Sequence, residues 1–141
     1  MRFIDLHALS PPRMLYYVFF KRMKRLEQFS EIINMYRQHG WRLARVLLRM
    51  ETRHAFDAAS SIIPDALFQD ADMRESAIDA LWFARGSDQT GREAWELRLV
   101  SDAAYALFET FEANEAEEER EDVRREMEAR LIEKTIDARS A

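Results

Sequence analysis

The sequence predicts an all-α protein, a compact bundle of about four helices with a charged helical C-terminal extension. Three observations lead there. Apolar residues recur at helical spacing along most of the chain. A Ser-Pro-Pro start and two capping-box patterns mark helix beginnings. Three glycines in 141 residues leave little material for tight β-turns. No stretch shows strand-like alternation and no internal repeat is visible. The 48% hydrophobic content suits one globular unit, divided into a bundle over residues 1–111 and an acidic, charged extension over 112–141.

The first predicted helix spans about residues 11–39. Ser10 supplies a hydroxyl cap, and Pro11-Pro12 bring preset φ angles with no amide to satisfy. Leu15, Phe19, Leu26, Phe29, Ile33 and Tyr36 follow at near-heptad spacing, and Gly40 is placed as the left-handed stop. A second helix is expected from Trp41 to before Pro64. Asp72 with Glu75 opens a third, running to Gly86. The stretch Gly86-Ser87-Asp88-Gln89-Thr90-Gly91 is the clearest loop. Thr90 with Glu93 opens a fourth helix, whose seam of Leu97, Val100, Ala104, Leu107 and Phe111 suits packing on another helix. Beyond Phe111 the chain is mostly acidic, with a short stripe of Val123, Met127 and Leu131. That stripe reads either as part of a solvated helix or as a docking face for a partner. Trp41, Trp82 and Trp95 read as core or interface anchors.

Charge is unevenly distributed. Residues 1–56 carry 11 Lys+Arg against 4 Asp+Glu, whereas residues 57–141 carry 10 against 22. A basic half meets phosphates, an acidic protein face, or the acidic half of its own chain or of a second copy. Within it, Arg42, Arg45, Arg49 and Arg53 fall three, four and four residues apart and share one face of the second predicted helix. Lys21, Arg22, Lys24 and Arg25 add to them from the first helix, and Phe56 lies beside the arginines. Arginine suits an anion-recognising surface because its planar fork pairs carboxylates and phosphates bidentately. The competing assignment is a structural row paired with downstream carboxylates.

Other constellations are incomplete. Residues 32–49 resemble a helix-turn-helix in outline, but Tyr36 stands where close packing wants a small residue. Glu51-x-x-His54 is half of a di-metal bundle motif, without the second half. The run Tyr16–Phe20 beside Lys21–Arg25 reads as core seam or as a membrane-surface anchor. The absence of cysteine excludes disulfide scaffolds, thiolate metal sites and a Cys nucleophile. No nucleophile with an oriented base and no phosphate-cradling glycine loop is present, so neither catalysis nor a metal or cofactor is expected. No leader or membrane-spanning run is visible, which points to the cytoplasm.

The function expected from these features is a non-catalytic interaction protein: an adaptor, inhibitor or assembly subunit. It would bind a protein partner through opposed basic and acidic faces. The alternative is nucleic-acid binding through the arginine row. A homodimer pairing basic with acidic halves is a third, structural reading.

Overall fold

The computed structural model describes the backbone of residues 11–58, 65–87 and 89–140, and the side chains of residues 24–58, 67–87 and 89–138. Helix α1 (Pro11–Gln38) leads into strand β1 (Arg42–Leu48), helix α2 (Met50–Ala58) and a 3-10 turn (Asp65–Phe68). Strands β2 (Asp72–Glu75), β3 (Ala80–Gly86), β4 (Glu93–Leu99) and β5 (Ala106–Phe111) follow, and helix α3 (Glu117–Ser140) closes the described chain. The strands form one sheet in the order β2-β1-β3-β4-β5. β1 and β2 are parallel, joined across α2, while β1–β3, β3–β4 and β4–β5 are antiparallel.

This mixed sheet overturns the all-α bundle: the second predicted helix is split into strand β1 and helix α2, and the third and fourth are largely strand. The two faces of the sheet explain the misreading. Helices α1 and α2 bury Leu26, Phe29, Ile33, Phe56 and Ala55 against Leu43, Val46, Leu81 and Phe83 on one face. Helix α3 buries Met127 and Leu131 against Leu47, Trp82, Trp95, Leu97 and Phe111 on the other. A central strand covered on both sides must be apolar at consecutive positions, so its period of two disappears from the sequence. β3 is the extreme case, with Ala80 through Ala84 all buried. β4 retains the alternation, with Trp95 and Leu97 buried between less buried Glu96 and Arg98.

The stripe of Val123, Met127 and Leu131 completes the second core. It folds back on its own sheet because strands β3 to β5 offer an apolar face of matching width. The predicted end of α1 holds. Gly40 sits at φ 83°, and the amides of Gly40 and Trp41 donate to Arg37 and Tyr36 carbonyls at 3.1 and 3.0 Å, a glycine-terminated helix stop. Gly91, in the β3–β4 loop, sits at φ 71°, where a Cβ would lie 2.9 Å from Ala113 Cβ. The two short turns therefore place glycine only where the backbone requires it.

Candidate functional site

The arginines singled out in the sequence do not share a face, because their helix is a strand followed by a helix start. A bulge between Leu43 and Arg45 inserts Ala44, so Arg45 stands opposite Trp82. The extra residue turns Arg45 away from the side of Leu43 and toward α3. Its side chain is 8% exposed. Nη2 and Nη1 reach Glu121 at 2.9 and 3.2 Å, and Nη1 reaches Glu128 Oε1 at 3.3 Å. Trp82 donates Nε1–H to the same Glu128 oxygen at 2.8 Å.

Glu121 is the hub of this network. It also accepts from Arg124 Nη1 at 2.9 Å and Arg74 Nη1 at 3.3 Å. Burial by itself pushes its carboxyl up, but hydrogen bonds from Arg45 and Arg124 and the Arg45 charge outweigh burial and hold it at about 2. Arg124 is buried too: its guanidinium lies 4.0 Å above the Trp95 ring and bonds Glu117 at 2.7 Å. Arg120 reaches Glu93 at 2.6 Å and the Glu112 carbonyl at 2.6 Å. The acidic start of α3 thus grips the sheet through ion pairs as well as apolar contact.

Arg49 occupies the start of α2. Its N–H donates to Asp79 Oδ1 at 2.9 Å, and Thr52 Oγ1 donates to Asp79 Oδ2 at 2.7 Å. Asp79, nearly fully buried on entry to β3, therefore caps α2 from another element. The Arg49 Nε lies 3.7 Å from Glu51 and 3.8 Å from Asp79. An open depression of about 490 Å³ adjoins it, lined by Arg49, Met50, Glu51, Glu75, Ser76 and Ala77. Two of its lining side chains are carboxylates, so it presents no concentrated positive field.

The remaining sites expected from the sequence are dispersed. Arg53 is exposed on α2 with no ion pair among the described residues. Phe56 is core, edge-on to Phe29 and Phe68 at 5.2 and 4.9 Å. Lys24 lies 3.9 Å from Asp102, and Arg25 donates to the Val100 carbonyl. Lys21, Arg22 and the aromatic run Tyr16–Phe20 lie on α1, but their side chains fall outside the described residues. The helix-turn-helix outline fails because its second helix is β1. Glu51 and His54 are both exposed, and no group of three or more potential metal ligands occurs among the described residues. Among those residues no helix is long and apolar enough to cross a membrane.

A different cationic cluster forms at the end of the sheet where α1 stops. Arg42 is not part of it: opposite Ala84 on the face that α3 covers, it is 64% exposed and lies 4.0 Å from Glu93, which Arg120 also holds. Arg85 lies 4.7 Å over the Trp41 ring and donates to the His39 carbonyl at 3.3 Å. Arg37 donates to the Leu67 carbonyl at 3.0 Å. Neither Arg37 nor Arg85 has a carboxylate partner among the described residues. Arg37 and His39 sit at the α1 C-terminus, where positive charge is favoured by the helix dipole. Beneath them Tyr36 stacks on Phe83 with ring centres 3.9 Å apart. Its phenol is pushed above the usual range by burial first and then by Glu96, with Arg98 opposing. Arg37 and Arg85 were invisible as a pair in the sequence, since 47 residues of chain separate them and only strand pairing of β1 with β3 unites them.

No protein-family model, no curated protein and no solved structure matches the chain.

Proposed function

We propose that the protein is a non-catalytic interaction module that binds an acidic surface of a protein partner through Arg85, stacked on Trp41, and Arg37 on the same face of the sheet. The observation that carries this reading is a contrast in pairing. Arg45, Arg120 and Arg124 are buried in ion pairs, whereas Arg37 and Arg85 bond only to carbonyls and leave their charge uncompensated. Arginine beside a tryptophan is the pairing enriched at the energetic centres of protein interfaces. The outward residues Glu118, Glu119 and Asp122 of α3 are exposed across the sheet from α1, which supports a reading with opposed basic and acidic faces. A non-catalytic role is supported by the use of its buried carboxylates. Asp79 caps a helix and Glu121 holds three arginines, so each is engaged in holding the fold.

Nucleic acid is the second reading, favoured by the same Trp41–Arg85 stack, since single strands stack on aromatic rings beside arginine. The test is affinity capture on immobilised protein, with and without nuclease, comparing wild type with Arg37→Glu/Arg85→Glu and with Arg53→Glu. The expected result is a specific protein retained after nuclease, lost with the double variant and kept with Arg53→Glu. Capture abolished by nuclease supports the nucleic-acid reading instead. In that case two phosphate contacts give a log–log salt slope of about −1.8 on duplex DNA. Capture unchanged in the double variant refutes the assignment of this surface.

A further inference from the structure

We infer that Glu109 is a built-in guard that keeps the β5 edge of the sheet, which pairs with no further strand among the described residues, from pairing with a second copy of the chain. The two edges differ. β2 is four residues long and three of them are charged, a form that resists strand addition. β5 is longer, with Glu109 as its single charged residue, and it exposes Phe108 to 59%. Leu99 donates its N–H to the Tyr105 carbonyl, and Arg98 pairs with Ala106. That register turns the peptide groups of Leu107, Glu109 and Phe111 toward β4 and those of Ala106, Phe108 and Thr110 outward.

One outward amide is already occupied: Thr110 N–H donates to Glu109 Oε1 at 2.9 Å. Consider β5 pairing antiparallel with its own copy. A two-fold at Phe108 sets the two Phe108 rings together and Ala106 opposite Thr110, with Leu107 opposite Glu109. That arrangement uses every outward amide, and it needs the Thr110 N–H that Glu109 holds. A two-fold at Glu109 brings two carboxylates face to face. A two-fold at Leu107 leaves only Ala106 and Phe108 to exchange bonds. A single side chain thus closes the best register and disfavours the next.

The test is sedimentation velocity at high protein concentration, with circular dichroism to confirm the fold. Wild type and Glu109→Gln, whose amide oxygen still accepts from Thr110, are expected to sediment as monomers. Glu109→Ala is expected to double in mass, and Phe108→Lys added to it to restore the monomer. Wild type that associates as strongly as Glu109→Ala, or Glu109→Ala that stays monomeric while folded, overturns the inference. Glu109→Gln that dimerises like Ala overturns the capping contact in favour of simple charge repulsion. Hydrogen exchange on the unaltered chain gives a second reading: Thr110 is expected to exchange more slowly than Phe108, and equal rates count against the guard.

Discussion

Glu121 binds a proton near pH 2 in the folded protein and near its ordinary value of 4.5 when released. The sign follows from that order. Between these values the unfolded chain takes up a proton that the folded chain refuses, so acid favours unfolding. The stabilisation is complete above about pH 4.5 and disappears as pH falls toward 2. At about 1.4 kcal/mol per pKa unit it amounts to about 3 kcal/mol. Urea midpoints measured from pH 7 to 2 should show Glu121→Gln less stable than wild type at neutral pH, with the gap narrowing through this window. A gap independent of pH contradicts the assignment. Asp79 stabilises by hydrogen bonding: it satisfies an amide at the start of α2 and the Thr52 hydroxyl. Asp79→Ala should cost about 2 kcal/mol in chemical denaturation, the combined loss of a helix cap and a buried hydrogen bond.

At the scale of elements, α3 is the structural lid of the second sheet face. Leu131 is fully buried beneath it, whereas Arg130 is 68% exposed and paired only along the helix with Glu126. Leu131→Ala should destabilise by about 3 kcal/mol through lost burial and a cavity. Arg130→Ala should change stability by less than about 0.5 kcal/mol. Thermal and urea denaturation distinguish the two; equal effects would mean that α3 does not pack as described. The helical ends of the chain were legible in the sequence. Gly40 marked the stop of α1, and Val123, Met127 and Leu131 were visible as a stripe, but one read as solvated or as a docking face for a partner rather than as the inner face of α3. The strands were not, because β1 and β3 are buried on both faces and their continuous apolar runs fit a helix equally well. β4 was legible in principle: Trp95 and Leu97 alternate with polar neighbours, but the longer seam from Leu97 to Phe111 also satisfied a helical period. Three glycines argued against turns, yet Gly91 alone supports the β3–β4 connection, and the loop from Ser101 to Tyr105 turns without any glycine.

For the whole molecule, the charge asymmetry of the sequence is largely an internal matter. Arg45 from the basic half meets Glu121 and Glu128 from the acidic half across 76 and 83 residues of chain. The arginine row looked like one face because it was read on a helix. On the sheet, the bulge at Ala44 sends Arg45 inward under α3 while Arg42 stays exposed at the strand's end, and Arg85 lies on the other face over Trp41. This sorting separates arginines held in buried ion pairs from Arg37 and Arg85, which have no carboxylate partner among the described residues. A double-mutant cycle between Arg45→Met and Glu121→Gln, read by urea denaturation at pH 7, tests it most directly. Arg45→Met alone should cost about 3 kcal/mol or more, since it leaves Glu128 facing a largely buried space without a cation and removes one of the three that hold Glu121. The pair should show a coupling of at least about 1 kcal/mol. Additive effects, within about 0.5 kcal/mol, would mean that the two halves are not joined through Arg45 and that this arginine is free for another role.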